Sequence, residues 1–416
     1  MSDNRGRTRR EILADAATVA AAASVAGLAG CFPDVGGRWP DAGAPGQCAQ
    51  PDAGTTGAAP APVTPAVVEV FREESVVVGA KFVIQPDVVA AMVDAGLAEL
   101  ARQARMFGGS SSAQDGSADA DDAGPSNGDG GTDPGEAGQP EQDGGTDNPW
   151  KVLLPNYQPG QRIGLKVNCL GSVSTSPAVV RAIIASLRDK LGVDPTTIVV
   201  WDRYLEDITK HGKYSTDDLA GAQVIGNLLR GLKTGENEAD FVAGNGYGDP
   251  ICEAVKSQKG NLPRLSRILT HHTDLTINCP VFKRHGESGV TGAMKNIYGI
   301  IDIPGEYHRS QLDADFLNNA LPNLYALPAI RNSISLTILD ALVAVTNGDT
   351  QDIQDYPPKR ILFALDPVAL DSYAWVLLTQ LRASQNFKAD DSARTGWLDK
   401  AAAHGLGSRN YSLVKA

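Results

Sequence analysis

The chain has 416 residues, of which 21% are charged, and its formal net charge at pH 7 is −12. A chain of this length predicts about two domains. Residues 108–149 contain eight Asp and two Glu but no Lys or Arg, so the rest of the chain is close to neutral. Because phosphate contacts require a basic face, this charge distribution argues against nucleic acid as a partner.

Residues 1–30 have the composition of an export signal. The pair Arg9-Arg10 precedes a short apolar run, as in a signal peptide rather than a membrane span, and it resembles a twin-arginine signal. The segment Leu28–Cys31 resembles a bacterial lipobox. We therefore expect export to the periplasm or cell surface, with a lipid on Cys31 as the membrane anchor. The alternative is an ordinary signal peptide that is cut near Cys31.

Two further segments have the composition of unfolded chain. Residues 31–65 are rich in Pro, Gly, Ala and Asp, which predicts a flexible tether. Residues 108–149 predict a disordered acidic insert, and the alternative is a calcium-binding repeat because Asp/Gly tracts can hold calcium. We expect the remainder of residues 66–416 to form the folded domain.

Apolar strands and periodic helices alternate along this domain. The predicted strands are 67–71, 161–169, 197–201, 275–279, 333–339 and 360–365, and the predicted helices are 86–104, 177–191, 219–229, 263–271, 314–327, 367–381 and 397–404. This order predicts an α/β fold with a mainly parallel sheet flanked by helices.

Polar residues stand at or just after the ends of several predicted strands. In open α/β sheets, ligands bind beyond the carboxyl ends of the strands. We therefore expect one sheet edge to collect Lys166, Asn168, Ser174, Thr175, Asp202, Asn278, Lys283, His285, Asp340 and Asp366.

The segment 280–300 carries the densest set of chemically active residues, set among glycines after an apolar strand. We expect His285 to act as a proton-transfer group or metal ligand. Lys295 is expected to act as a nucleophile or to bind an anion. The alternatives are a solvent-facing histidine and a surface lysine, and His308 is a further candidate for this site.

A cofactor or small anionic ligand is expected beside His285 and Lys295. Its identity is open, and a metal or a phosphate-containing cofactor would suit these side chains. The residues expected to hold it are Lys166, Asn168, Lys283, Thr291 and Asn296. No GxGxxG, Walker, GxSxG or HExxH motif occurs, so the sequence does not specify a reaction.

Cysteines and aspartates leave several interpretations open. Cys169 and Cys279 both follow strand patterns, and they could form a disulfide, bind a soft metal or fill the core as thiols. No CxxC pair occurs, so an iron–sulfur cluster held by this chain alone is not expected. Asp366 and Asp371 most simply cap a helix start, and metal or hydroxyl binding is the alternative.

Four segments together resemble the domain of unknown function 362 family: IGLKVNCLGSVSTSPAVVRAII, TDLTINCPVFKRHGESGVTGAMKNIYGII, SLTILDALVAV and ILFALDPVALDSYAW. The family pattern falls on Lys166, Asn168, Asn278, Pro280, Lys283, His285, Thr291, Lys295, Asn296, Gly299, Asp366, Pro367 and Asp371. The resemblance covers most of residues 66–385 and implies no settled activity. Many relatives carry ferredoxin-type cysteine motifs, which this chain lacks.

His285 and Lys295 also carry a more distant similarity to the nickel-pincer lactate racemases, in which a histidine precedes a lysine by the same ten residues. That similarity implies a metal ligand at His285 and a cofactor-linking lysine at Lys295. The racemases' amino-terminal histidine motif has no clear counterpart in this chain.

Together, these patterns predict an exported, membrane-tethered protein with a cofactor-, metal- or anion-binding site in residues 280–300. A cofactor-dependent enzyme is one form of this prediction. The alternatives are a non-catalytic extracytoplasmic lipoprotein that captures a ligand or metal, and an accessory protein of a redox chain.

Overall fold

The computed structural model describes residues 64–108, 148–229, 245–251, 253–308 and 315–416. The predicted signal peptide, the predicted lipidation site Cys31, and nearly all of the predicted tether and of the predicted acidic insert lie outside the described residues. So do Cys48 and Cys252.

Fourteen strands lie in the described part of the chain. They are β1 (Ala66–Phe71), β2 (Val76–Val78), β3 (Phe82–Ile84), β4 (Ile163–Val167), β5 (Ile198–Tyr204), β6 (Gln223–Leu228), β7 (Tyr247–Pro250), β8 (Arg264–Ser266), β9 (Leu275–Cys279), β10 (Val281–His285), β11 (Gly289–Thr291), β12 (Ile334–Val345), β13 (Arg360–Ala364) and β14 (Ser412–Lys415).

Ten of these strands form one sheet, in which eight follow the order β14-β1-β13-β12-β9-β4-β5-β6 and the other two, β10 and β11, attach through β12. The run from β12 to β6 is parallel throughout, whereas β13 is antiparallel to both of its neighbours. Strand β12 is long enough to pair with β9 through its first half and with β10 through its second half. Strand β11 folds back on β10 as a hairpin that extends beyond the carboxyl end of β9.

Helices cover both faces of the sheet. They are α1 (Pro86–Gly108), α2 (Pro149–Leu153), α3 (Pro177–Ser186), α4 (Phe316–Tyr325), α5 (Pro328–Arg331), α6 (Pro367–Ser384) and α7 (Gly396–Ala403). Several begin with proline at the first turn, where its fixed φ suits a helix and its missing N–H is not needed. The side-chain oxygen of Ser176 caps the start of α3, and a carboxylate oxygen of Asp366 caps the start of α6.

The sheet separates two apolar cores, as its period-two alternation requires. In β5, Ile198 and Val200 face the core that contains α1 and α3, whereas Val199 and Trp201 face the core that contains α4, α6 and α7. The predicted α/β fold with a mainly parallel sheet flanked by helices is confirmed. Within the described residues, no helix has both the length and the apolar character needed to cross a membrane.

Two predicted helices are wrong. Residues 219–229 contain strand β6, which pairs in parallel with β5. Residues 263–271 contain strand β8, followed by a single wide helical turn at Ile268–His272. Both segments are short, and tertiary pairing decided their conformation where local propensity was weak. The carboxy-terminal strand β14 was not predicted, because four residues carry little periodic signal.

Two aspartates are misplaced by the sequence prediction. The strand that was expected to end before Asp340 continues to Val345, so Asp340 lies in the middle of β12. Strand β13 runs antiparallel to β12, so its carboxyl end, followed by Asp366, lies at the opposite sheet edge. The expectation that Asp366 joins the other polar residues is therefore wrong.

Candidate functional site

The site lies where β4, β5 and β9 end and where the β10–β11 hairpin and the helical turn Lys295–Ile300 cover the sheet edge. The sequence interpretation treated residues 280–300 as an open loop. The structure instead has a hairpin and a helical turn, and most of their side chains are buried. The polar residues of this segment therefore face the protein interior rather than solvent.

His285, Lys295 and His308 form one cluster. The rings of His285 and His308 stack with their centroids 5.4 Å apart and their planes at 15°. The Lys295 Nζ atom lies 3.1 Å from His308 Nε2 and 3.4 Å from the centre of the Tyr298 ring. Lys295 and His285 are buried, and His308 is partly exposed, so the cluster is open to solvent on the His308 side.

Burial lowers the pKa of Lys295 well below its usual range, because the ammonium form loses its hydration. The carboxylates of Glu287 and Asp349 oppose this shift. The contact with Tyr298 also favours the ammonium, but a cation–π contact is worth only about 0.5–2 kcal/mol. Among the described residues Lys295 forms no salt bridge, and burial, the largest influence on its pKa, favours the neutral amine.

Hydrogen bonds assign the proton positions of the two imidazoles. In His285, Nδ1 accepts from the backbone N–H groups of Glu287 at 3.0 Å and Ser288 at 3.3 Å, so Nε2 carries the proton. In His308, Nδ1 donates to the Pro304 carbonyl at 3.0 Å, so the Nε2 lone pair faces the amine of Lys295. Burial lowers the pKa of both rings, to about 3 for His308, and both are neutral.

This tautomer bears on the predicted metal site at His285. A neutral histidine binds a metal through an unprotonated nitrogen, and the unprotonated nitrogen of His285 already accepts from two amides. Within the described residues, no three His, Cys, Asp or Glu side chains are grouped as a metal-binding set. The donor arrangement at His285 therefore does not fit a metal ligand. It fits a hydrogen-bond donor.

Lys283 lies on the same face of β10 as His285 but has a different set of contacts. Its Nζ atom donates to the carbonyls of Leu170 at 2.6 Å and Val173 at 3.1 Å. Burial lowers its pKa to about 8. Its amine therefore fastens the loop that follows β4 rather than pointing at the His285–Lys295–His308 cluster.

Lys166 also has internal partners. Its Nζ atom lies 2.7 Å from Asp202 Oδ1 and donates to the Val167 carbonyl. Asp202 additionally accepts from the backbone N–H of Cys169. The Gly299 Cα packs against this ion pair, which leaves no room there for a side chain.

Three asparagines bind the helical turn to the sheet. Asn296 donates to Asn278 Oδ1 at 2.8 Å and accepts from Asn168 Nδ2 at 3.2 Å, and Asn278 donates to the Ala293 carbonyl. Asn168 Oδ1 and Thr291 Oγ1 are buried and have no hydrogen-bond partner among the described residues. These two oxygens remain available for a ligand or an ordered water.

Asp371 occupies a position that the sequence analysis assigned to helix capping. Asp371 lies in the second turn of α6. Its carboxylate accepts from the backbone N–H groups of Ala293 at 2.6 Å and Met294 at 2.9 Å, which belong to the segment before Lys295. Burial raises its pKa to about 7, although the two amide donors favour its charged form. Asp371 thus fixes the backbone immediately before Lys295.

The structure brings together His285, Lys295 and His308, and it places Asn168, Asn278 and Asn296 beside them. Lys166 and Lys283 lie at the same edge but have other partners. Asp340 accepts from the backbone N–H groups of Ser176 and Leu342. Cys169 and Cys279 are buried free thiols, which corresponds to the core-filling interpretation rather than to a disulfide.

Sequence analysis missed Glu287 and Asp349, the two carboxylates whose charges raise the pKa of Lys295. Asp349 lies in the β12–β13 connection and accepts from the Gly286 N–H at 3.0 Å. Its Asn-Gly-Asp context marks a turn, but the length of β12 is needed to bring that turn to the site. Tyr298, which supplies the ring beneath the amine, follows Lys295 by three residues and was open to prediction from helical spacing.

Comparison with known proteins adds a family assignment but no activity. A family model described as "Domain of unknown function (DUF362)" matches residues 163–376, about half of the chain. No curated protein matches the chain. A crystal structure of a protein from Thermotoga maritima is similar at 11% identity with a TM-score of 0.31, and the match covers 56% of each chain. That likeness is too weak to support an argument.

Proposed function

The chain belongs to the DUF362 family, whose description names no function, and we propose from its own residues that it binds a small carbonyl-bearing ligand or cofactor at the His285–Lys295–His308 cluster. Lys295 would be the nucleophile. The observation that supports this most directly is the Lys295 amine, buried without a salt bridge among the described residues and 3.1 Å from an imidazole acceptor.

The chemistry follows from the protonation states. A neutral amine has a free electron pair, so Lys295 can add to a carbonyl carbon. His308 Nε2 accepts a proton from the amine as the bond forms, and the Nε2–H of His285 donates to the carbonyl oxygen. The oxygen leaves as water after receiving two protons that originate from the amine, and an imine between Lys295 and the ligand remains.

Reductive trapping tests this proposal. The protein is incubated with glyoxylate or acetaldehyde and cyanoborohydride, and the modified peptide is identified by mass spectrometry. We expect the rate of Lys295 modification to fall less steeply with falling pH than the rate for exposed lysines, which react about tenfold more slowly for each pH unit below their pKa.

Two variants provide controls. Lys295→Arg should lose the modification, and His308→Gln should slow it while the protein stays folded. Lys283 is a matched buried lysine whose amine donates to two carbonyls, so it should remain unmodified. Modification of exposed Lys256 and Lys400 with Lys295 left intact would contradict the proposal.

Turnover distinguishes an enzyme from a capture protein. If Lys295 forms the adduct but no carbonyl compound is converted, the site serves binding alone. Intact mass of protein from its own host supplies a second measurement, because a resident cofactor on Lys295 would add mass that Lys295→Arg removes.

We also propose that the protein is exported and lipid-anchored through Cys31. The support is the sequence of residues 9–31, with its arginine pair, apolar run and lipobox-like end. Mass spectrometry of the amino-terminal peptide from membranes would detect the lipid. Soluble protein with an unmodified amino terminus, or no change in membrane association on Cys31→Ala, would contradict it.

A further inference from the structure

Side chains alternate along a strand, so Arg284 points to the face of β10 opposite Lys283 and His285. On that face it borders a polar cavity. This cavity has a volume of about 470 Å³ and is lined by Arg284, Arg382, Lys388, Ala389, Asp390, Asp391 and Arg394. Four of its lining residues are basic and two are acidic. Pockets of about 300–1,000 Å³ are usual for small ligands.

Asp390 is the only carboxylate among the cavity's lining residues that pairs with the arginines. It forms two hydrogen bonds with Arg284, both of 2.7 Å, and it lies 3.2 Å from both Arg382 and Arg394. Three guanidinium groups therefore share one negative charge. The carboxylate of Asp391 accepts from the Ala393 N–H, and with both aspartates counted the four basic and two acidic lining residues leave a formal charge of +2.

Several donors in this cavity are unused. Arg382 is not among them: its Nε lies 3.2 Å from Asp390 Oδ2, and its two terminal nitrogens donate to the carbonyls of Thr346 and Lys388. Arg394 donates from one terminal nitrogen to Asp390 at 3.2 Å, and its remaining N–H groups are available to a ligand. Lys388 is exposed at the rim and has no salt-bridge partner in the described part of the chain.

We propose that this arginine cavity binds a phosphate group, either as the free ion or as part of a small organic phosphate. A doubly charged oxyanion would neutralise the excess positive charge and accept from the unused donors of Arg394 and Lys388. Arginine suits this role because its planar fork matches two phosphate oxygens. The nearest further carboxylates, Asp349 and Asp355, do not line the cavity, so they do not block it.

The test measures thermal stability and binding heat of the full chain with inorganic phosphate, a phosphate monoester and chloride, all at equal ionic strength. A ligand that binds the folded state raises the melting temperature by mass action. We expect both phosphates to do so and chloride to have no effect. A stronger effect of the monoester would identify an organic phosphate as the better ligand.

Variants locate the site. Arg394→Gln and Lys388→Gln should each weaken phosphate binding by about tenfold, which is the usual effect of removing one charged donor. Arg409→Gln is the matched control, because Arg409 is a partly exposed arginine paired with Asp399, and neither residue lines this cavity. Melting curves without phosphate confirm that the variants fold.

Three outcomes would overturn the proposal: no stabilisation by either phosphate beyond that of chloride, equal binding by Arg394→Gln and the unchanged protein, or an equal loss with Arg409→Gln. Trapping at Lys295 is independent of these results, so the two proposals can fail separately.

Discussion

At the scale of single residues, the candidate site depends on where protons lie. Two backbone amides hold the proton of His285 on Nε2, and the Pro304 carbonyl holds that of His308 on Nδ1. Sequence analysis identified His285 and Lys295 from their glycine-rich setting. It could not identify the tautomers, because these depend on backbone groups that only the folded hairpin and turn bring into contact.

Gly299 provides a test of how tightly the site is packed. A Cβ atom there would lie 2.8 Å from both Lys166 Nζ and Asp202 Oδ1, and an ion pair in the interior cannot move aside easily. We expect Gly299→Ala to lower the free energy of unfolding by about 1–3 kcal/mol, the usual cost of overpacking. Urea denaturation measures the change.

Gly305 is the matched control for this substitution, since a Cβ atom there would meet nothing within 4 Å. Gly305→Ala should leave stability nearly unchanged. Equal stability of the two variants would show that the ion pair beneath residue 299 has room to shift.

At the scale of elements, helix α6 and the turn that carries Lys295 are joined by Asp371. The sequence correctly placed a helix after Asp366-Pro367, and the Asp366 side chain does cap it. The contacts of Asp371 could not be predicted from the sequence, because its two amide donors come from residues 293 and 294, almost eighty positions earlier in the chain. Long-range contacts of this kind leave no periodic signal in the sequence.

Asp371 predicts a pH effect. Its pKa is raised from 3.8 to about 7, so between these values the folded protein holds a proton that the unfolded chain has released. Stability from this group is therefore complete at low pH and is lost as pH rises through 7. We expect the stability difference between the unchanged protein and Asp371→Asn to fall as pH rises from about 4 to 7.

The measurement is urea denaturation of both proteins at several pH values. Asp399→Asn serves as the control, because Asp399 is an exposed surface carboxylate, and its effect should be small at every pH. A difference between Asp371→Asn and the unchanged protein that grows with pH would contradict the assigned direction.

At the scale of the whole molecule, the alternation of strands and helices was enough to predict the α/β sheet, and the polar strand ends were enough to predict the edge near which the His285–Lys295–His308 cluster lies. Strand direction was not predictable. The reversal at β13 moved Asp366 to the other edge, and the extension of β12 moved Asp340 into the sheet interior. Both depend on which strands are neighbours, and β-strands of similar composition pair in either direction.

The edge of the sheet gives a whole-molecule prediction. Strand β14 covers β1 through backbone hydrogen bonds, including Ser412 N to Pro65 O at 2.9 Å and Ala416 N to Glu69 O at 3.0 Å. Removal of residues 412–416 should lower the free energy of unfolding by about 2–3 kcal/mol, at about 1 kcal/mol for each lost hydrogen bond. The uncovered β1 edge should also promote self-association.

Urea denaturation and light scattering measure these two effects. Leu413→Ser is the control, because it changes an exposed side chain and keeps the backbone ladder. If the control loses as much stability as the truncated chain, the side chain rather than the ladder holds this edge.

Strand β10 lies between the His285–Lys295–His308 cluster and the arginine cavity. Lys283 and His285 point to one side of it and Arg284 to the other, and Arg284 also contacts the carbonyl of Gly348, next to the aspartate that binds Gly286. Deletion of one residue between Val281 and Lys283 would rotate every following side chain by half a turn. The guanidinium of Arg284 would then turn toward the side of Lys295 and the imidazole of His285 toward the arginine cavity, so the loss of a single codon would disrupt both sites.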